Sequence, residues 1–489
     1  MRAKGEDVSG AQEHFLLVVA LVLICIMAAR TPLDSDLWWH LRAGEMSWTT
    51  KVPLRIDMTS YTREGASWIN HSWLAQVILY LAYATAGYLG LTVVVVIVVA
   101  LSMLFVWLCM EGRVILRAFL LIFGGVVASV VWSARPQIFS LALMGCCGWI
   151  LYRYKWQQKN TLWALPLVFM LWSNLHAGYP LGLMLIGLMV VGEILNRFVG
   201  NNGFPVLSYR EIIRLAVWGL VSTVALLVNP NFVETWLIPF KTVGVQALGG
   251  LVSEWQSPDF HQAFQQPFLL LLFGVFIVLA LSRRVDVTDL LSVSWFAALA
   301  LVARRNFAPF ALVAMPVLAR YLWRLIQDWH PRSWQFDRAV KSYRYVNLAF
   351  VALLCFVAVV KLYAVSYPPL VEAYQRQLYP VGAVEWLARE RPPGRLFNEY
   401  NWGGYLSWNL RDYPIFIDGR TDLYGDVIIR QWMDVISAEE GWENLLDVWQ
   451  VRLLLLSPDR PLTKVLEYHP EWQVGYRDSL CVVYVRTAP

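Results

Sequence analysis

Long apolar runs alternate with short polar turns over the first three-quarters of the chain. The runs fall near 14–31, 90–110, 117–134, 137–152, 161–176, 179–196, 211–228, 267–282, 287–303, 306–325 and 345–366. Each approaches the length needed to cross a hydrocarbon layer of roughly 30 Å, so the pattern predicts about eleven transmembrane helices. A further apolar stretch, 72–88, is joined to the next run only by Gly87-Tyr88-Leu89-Gly90. That short link suits a helix lying in the membrane interface that then turns inward. Residues 32–89 thereby become a long first outer loop with amphipathic segments.

Beyond residue 366 the pattern changes. Gly394–Phe397, Pro414–Asp418, Arg452–Ser457 and Cys481–Arg486 read as short buried strands, and Val381–Arg391, Gly403–Leu410, Val427–Ser437 and Gly441–Trp449 as helices. Strands alternating with helices predict a small three-layer α/β domain over 366–489, following a transmembrane domain over 1–365.

Charge orients the bundle. With 72–88 off the membrane, Arg113/Arg117, Arg153/Lys155/Lys159, Arg197/Arg210/Arg214, Arg283/Arg284 and Arg324/Arg332/Arg338/Lys341/Arg344 share one side. Short positive loops stay cytoplasmic. This predicts a multi-pass protein of the cytoplasmic (inner) membrane, with its N-terminus in the cytoplasm and its C-terminal domain extracytoplasmic. The polar head before Phe15 lacks a small-residue cleavage site and reads as the start of an uncleaved first helix. At 58% hydrophobic and 15% charged residues, the chain is too apolar for a soluble domain. A net charge of +5 without a basic tract gives no reason to expect nucleic acid. Five of the six cysteines lie in apolar runs and only Cys481 in a polar region, so no disulfide framework or cysteine-based zinc site is legible.

Candidate chemistry gathers at the outer helix ends. Asp34-Ser-Asp-Leu-Trp-Trp-His-Leu-Arg42 follows the first run directly. A carboxylate shielded from water has a raised pKa and can act as a general base toward an acceptor hydroxyl. Only one of the two carboxylates need face a cavity, Asp36 by preference over Asp34. The blander reading is an acidic cluster flanking and N-capping the next helix. Trp38 and Trp39 read as membrane anchors. His40, Arg42 and His71 are candidate substrate contacts. Arg135, His176, Arg304 and Arg305 stand at other outer ends, against the topology rule, and suit a lipid phosphate leaving group. Asp418 and Arg420 read as an internal salt bridge fixing a turn. No P-loop, GxGxxG, HExxH or GxSxG motif occurs in a supporting context.

The blocks Asp34–Gly44, Trp68–Leu74, Asn398–Tyr405 and Phe416–Gly425 resemble a largely uncharacterised bacterial family grouped with the C-type (GT-C) membrane glycosyltransferases. That superfamily includes protein O-mannosyltransferases, aminoarabinose transferases and oligosaccharyltransferases. The resemblance implies a GT-C-like α-helical polytopic fold. It also implies inverting transfer of a sugar from a polyprenyl-phosphate donor to a lipid, glycan or protein acceptor on the outer face. The base maps onto Asp36 or Asp34, and the phosphate-contacting arginine onto Arg135. Asp-x-Asp replaces the adjacent Asp-Glu pair of the mannosyltransferases, which leaves a divalent ion, Mg or Mn, an open question. A rival reading is a non-catalytic membrane subunit of the same fold whose outer domain docks a membrane protein partner. A transporter is disfavoured because the polar groups gather at one face and no inverted repeat is evident.

Overall fold

The computed structural model describes residues 2–200, 203–243, 252–329 and 344–487. Each of the eleven apolar runs lies on a helix. In chain order the helices are α1 (Arg2–Ala28), α2 (Leu37–Thr50), α3 (Trp73–Cys109), α4 (Val114–Ala128), α5 (Gln137–Lys155), α6 (Leu165–Leu175) and α7 (Pro180–Val199). They continue with α8 (Tyr209–Ala225), the short α9 (Ile238–Val243), α10 (Gln266–Leu281), α11 (Val287–Val302), α12 (Phe307–Trp329) and α13 (Arg344–Ser366). Among the described residues, six helices are long and apolar enough by themselves to cross a membrane, and three shorter apolar helices accompany them. Phe119, Leu220 and Phe356 turn their side chains outward from these helices. An apolar exterior of this extent is stable only against lipid, which makes this a membrane protein. The basic positions Arg332, Arg338 and Lys341 lie outside the described residues.

Helix α3 breaks at Ala86–Gly87, where Gly87 adopts φ +56°. The break falls where the short link predicts a turn between an interfacial stretch and a span. A glycine is required there because other residues are strained at that φ. Three residues on, a Cβ at Gly90 would lie 2.0 Å from the carbonyl oxygen of Ala82, so the two halves meet backbone to backbone.

The helices have two chemically distinct ends. At the end remote from Asp36, Lys155 of α5 is buried between Glu193 of α7 and Asp286, the N-cap of α11; its distance to Asp286 is 2.6 Å. Arg320 of α12 pairs with Asp289 at 2.5 Å and Glu111 at 3.0 Å, and stacks over Trp156. Lys155, which its sequence neighbours group with a solvated basic cluster, is therefore an internal tie between helices.

The C-terminal part begins with α14 (Pro368–Leu378) and α15 (Val381–Glu390) and builds a four-stranded mixed sheet. Its strands are β1 (Arg395–Asn398), β2 (Val451–Leu456), β3 (Trp472–Arg477) and β4 (Val482–Arg486), in the order β1-β2-β4-β3. β1 and β2 are parallel, and the other pairs are antiparallel. Strand alternation divides β2 between two cores. Leu453 and Leu455 join the cluster shared with α15 and α16 (Gly403–Asn409), while Leu454 and Leu456 join that of α17 (Thr421–Ile436) and α18 (Trp442–Val448). Helices on both faces make the three layers that the sequence predicts. The short α19 (Pro461–Leu466) precedes β3.

Two local expectations are corrected. Pro414–Asp418 is not a strand. Ile415 instead makes an isolated bridge to Ser60 of the first loop, and the Asn398 side chain binds Phe416 N–H and Ile417 C=O. Trp38 and Trp39 are not exposed anchors either. Trp38 is 1% exposed, edge-on to Tyr83, Tyr379 and Tyr405, because the C-terminal part covers α2.

Candidate functional site

The segment between α1 and α2 is a turn rather than an extended strand. Leu37 N–H donates to the Asp34 carbonyl at 3.1 Å, and Asp36 N–H donates to Asp34 Oδ1 at 3.0 Å. The turn leaves both carboxylates on the same side, against Arg135. Asp36 occupies the N-cap position of α2 without capping it. Its Oδ1 accepts from Trp39 Nε1 at 3.1 Å and its Oδ2 from Arg135 Nη1 at 3.0 Å. Tyr379 holds the Asp34 carbonyl from the C-terminal part at 2.8 Å.

Arg135 is the hub. Its Nε lies 3.1 Å from Asp34 Oδ2 and 3.0 Å from Ser133 Oγ, and its Nη2 binds Glu254. Burial works against the guanidinium charge, but Asp34, Glu254 and Asp36 outweigh it and hold the proton more tightly than usual. For Asp36 the balance goes the other way. Burial pushes its carboxyl up and Arg135 pulls it down. With Asp34 adding repulsion, it is pushed up to about 6.

The C-terminal part supplies one side of this carboxylate's seat. Gly419 abuts it so closely that a Cβ would lie 2.0 Å from Asp36 Oδ1 and 2.9 Å from Trp39 Nε1. The turn carrying Gly419 is anchored by buried Arg420, which reaches Asp418 at 2.8 Å, Asp57 at 2.7 Å and Thr59 Oγ1 at 2.7 Å. The Asp418–Arg420 pair thus fixes a turn, as its spacing predicts, and also ties the turn to the first loop.

A second set of groups lies near the first. His71 and His176 rings meet edge to face at 6.0 Å, and His71 Nδ1 is 3.9 Å from Asp422 Oδ2. Trp68 Nε1 donates to the same Asp422 oxygen at 3.1 Å. Burial holds His176 well below the usual histidine range, with His71, Arg305 and Arg135 adding repulsion. Burial lowers His71 too, against the pull of Asp422. Ser140 Oγ accepts from Trp172 Nε1 at 2.8 Å and lies 2.7 Å from His176 Nδ1. With Nδ1 tied to Ser140, the other ring nitrogen of a neutral His176, Nε2, makes no hydrogen bond among the described residues.

Arg304 and Arg305 brace the loop that carries Glu254. Arg304 Nη2 binds Ser253 Oγ at 2.6 Å, while Arg305 rests 4.4 Å over the Trp255 ring. The Arg305 guanidinium makes no ion pair or hydrogen bond among the described residues, in contrast to the committed Arg135. His40 is buried, its ring tilted against Trp39, with Nδ1 3.4 Å from Gln76 Nε2. Arg42 pairs with Glu45 at 2.6 Å, and the same Glu45 also holds Arg411. The structure therefore brings Asp34, Asp36 and Arg135 into direct contact, with His71, His176 and Arg305 around them, and ties Arg42 elsewhere.

Glu254 went unnoticed in the sequence. It sits in a short polar segment between apolar ones, and its only signal is a lone acid near the outer-end arginines. Among the described residues no group of three or more His, Cys, Asp or Glu side chains is placed to hold a metal ion. The space between the carboxylates is taken by Arg135.

No protein-family model and no curated protein sequence matches the chain. Solved structures do match in fold. The oligosaccharyltransferase of Archaeoglobus fulgidus, tethered to an acceptor peptide containing the NVT sequon, aligns over 98% of this chain and 74% of its own, at TM-score 0.55 and 13% identity. ArnT from Cupriavidus metallidurans bound to undecaprenyl phosphate aligns over 97% of both chains, at TM-score 0.52 and 15% identity. The mycobacterial arabinofuranosyltransferase AftD aligns over 98% of this chain and 40% of its own, at TM-score 0.53 and 12% identity. The chain has the GT-C fold.

Proposed function

We propose that this protein is a glycosyltransferase that moves a sugar, with inversion, from a polyprenyl-phosphate donor to a lipid, glycan or protein acceptor outside the cytoplasmic membrane. The observation that carries the reading is the seat of Asp36. A carboxylate pushed up to about 6 is held by a tryptophan N–H and an arginine, on a fold shared with a protein that binds undecaprenyl phosphate.

In this reading Asp36 takes the proton of the acceptor hydroxyl as its oxygen attacks the anomeric carbon, and the bond from that carbon to the phosphate oxygen breaks. Asp34 holds the turn and Arg135. In an in-line displacement the base and the leaving group lie on opposite faces of the sugar. A cation bonded to the base is therefore poorly placed to receive the phosphate. Arg135 accordingly orients Asp36, and the uncommitted Arg305, with Arg304 beside it, receives the phosphate and stabilises the charge that grows on it. His176, held neutral, adds no charge to the phosphate seat. Arg135 supplies positive charge where a divalent ion would otherwise sit, and activity that survives chelation with EDTA is the expected result.

The test is binding of farnesyl phosphate to purified protein. Arg305→Ala should weaken it more than Arg135→Ala does, and the reverse order would put the phosphate on Arg135. The scaffold reading predicts no donor binding at all.

A further inference from the structure

Four polar groups beside this site take no part in holding Asp36. His71 Nδ1 is buried without a hydrogen-bond partner. Asp422 uses Oδ2 for Trp68 Nε1, and its Oδ1 makes no hydrogen bond among the described residues. His176 Nδ1 is tied to Ser140, so Nε2 is the ring nitrogen left to meet a ligand. The Tyr400 hydroxyl also lacks a hydrogen bond among the described residues and lies within electrostatic reach of Asp36 and Asp422. Buried polar groups are almost always bonded, so the orphaned His71 Nδ1, beside these open neighbouring atoms, calls for a ligand or ordered water.

The chemistry of these groups narrows the ligand. Neutral imidazoles beside a carboxylate make a poor seat for phosphate. Together they offer N–H and O–H donors and a carboxylate acceptor, the carboxylate being held in place by Trp68 Nε1. A few convergent donors and acceptors suit a ring rich in hydroxyl groups. Arg305 acts electrostatically on both His71 and His176, so the ring they bind adjoins the phosphate.

Building on the proposed donor, we infer that His71, His176, Asp422 and Tyr400 form a subsite that recognises the hydroxyl groups of the donor's sugar. The subsite favours an uncharged sugar over an acidic one, because Asp422 repels a carboxylate on the ring. Asp422 and Tyr400 belong to the C-terminal part, which thereby reads the sugar.

The experiment measures binding of bare farnesyl phosphate and of farnesyl phosphates carrying mannose, glucose, galactose or galacturonic acid to the purified full chain. Wild type should bind at least one neutral hexosyl form about tenfold or more tighter than bare farnesyl phosphate, and should not favour the galacturonic acid form. Each of His71→Ala, His176→Ala, Asp422→Asn and Tyr400→Phe should shrink that increment about 3- to 10-fold, the worth of one hydrogen bond, with bare farnesyl phosphate unaffected. His176→Gln, which keeps an N–H donor, should retain most of it and shows that the position tolerates change. Variants that keep the full increment, or lose bare farnesyl phosphate equally, overturn the subsite alone. If wild type binds no farnesyl phosphate in any form, the donor reading falls and the subsite with it.

Discussion

Substituting Gly419 by Ala tests whether the C-terminal part positions the base. The added methyl would lie 2.0 Å from Asp36 Oδ1, against an ordinary contact of 3.4 Å or more. The carboxylate must therefore retreat by roughly 1 Å, since repulsion is steep inside contact distance. Retreat disrupts the bonds from Trp39 Nε1 and Arg135 Nη1, at about 1.5–3 kcal/mol for each charge-assisted bond lost. A base misplaced by that much costs about 100-fold in rate. The assay is consumption of a farnesyl-phosphate sugar by purified protein, with thermal unfolding followed in parallel. Gly419→Ala should lower turnover about 100-fold, leave farnesyl phosphate affinity within about threefold, and shift the melting temperature by only a few degrees. If the effect runs through Asp36, adding Gly419→Ala to Asp36→Asn should cost almost nothing further. Turnover within threefold of wild type, or full additivity in the double variant, would refute the reasoning.

Turnover should fall on the acid side with a midpoint near 6, because the base must be ionised, and a rate profile flat from pH 8 to 5 would remove Asp36 from that role. Stability carries opposing signs over the same window. The raised Asp36 binds a proton more tightly when folded and gains stability as pH falls. His40, His71 and His176, held neutral, lose it below the ordinary histidine pKa of about 6.5, so melting curves at each pH must accompany the rates. Lys155→Met strands Glu193 and Asp286 in the interior and should destabilise the bundle by about 3–5 kcal/mol, seen as a lower melting temperature in detergent with farnesyl phosphate affinity per folded molecule unchanged. Glu254→Gln removes an anion from Arg135 and should tighten farnesyl phosphate binding several-fold; weaker binding would make Glu254 a substrate contact instead.

Much of the fold was legible because apolar run length is a strong signal, and lipid leaves the backbone no alternative to helix. The break in α3 was legible from a single short link around Gly87. β3 was missed because Trp472–Arg477 exposes most of its side chains and lacks the apolar run of β2. Pro414–Asp418 looked like a strand because it is apolar. Its backbone groups instead bind Thr59, Tyr61 and the Asn398 side chain, partners set by tertiary contact and invisible in local pattern. In the candidate site, Asp36 and Arg135 were readable as misplaced charges at outer helix ends. The pairing of Arg135 with Glu254, and the closeness of Gly419 to Asp36, depend on segments more than a hundred residues apart.

The central claim is that Asp36 removes a proton while a polyprenyl phosphate departs. It is tested most directly by incubating purified wild type and Asp36→Asn with an undecaprenyl-phosphate sugar and measuring release of undecaprenyl phosphate. The account predicts release by wild type and a loss of about 10²–10⁴-fold in the variant, with donor still bound. No release by wild type across a panel of sugars, or equal release by both proteins, would contradict it.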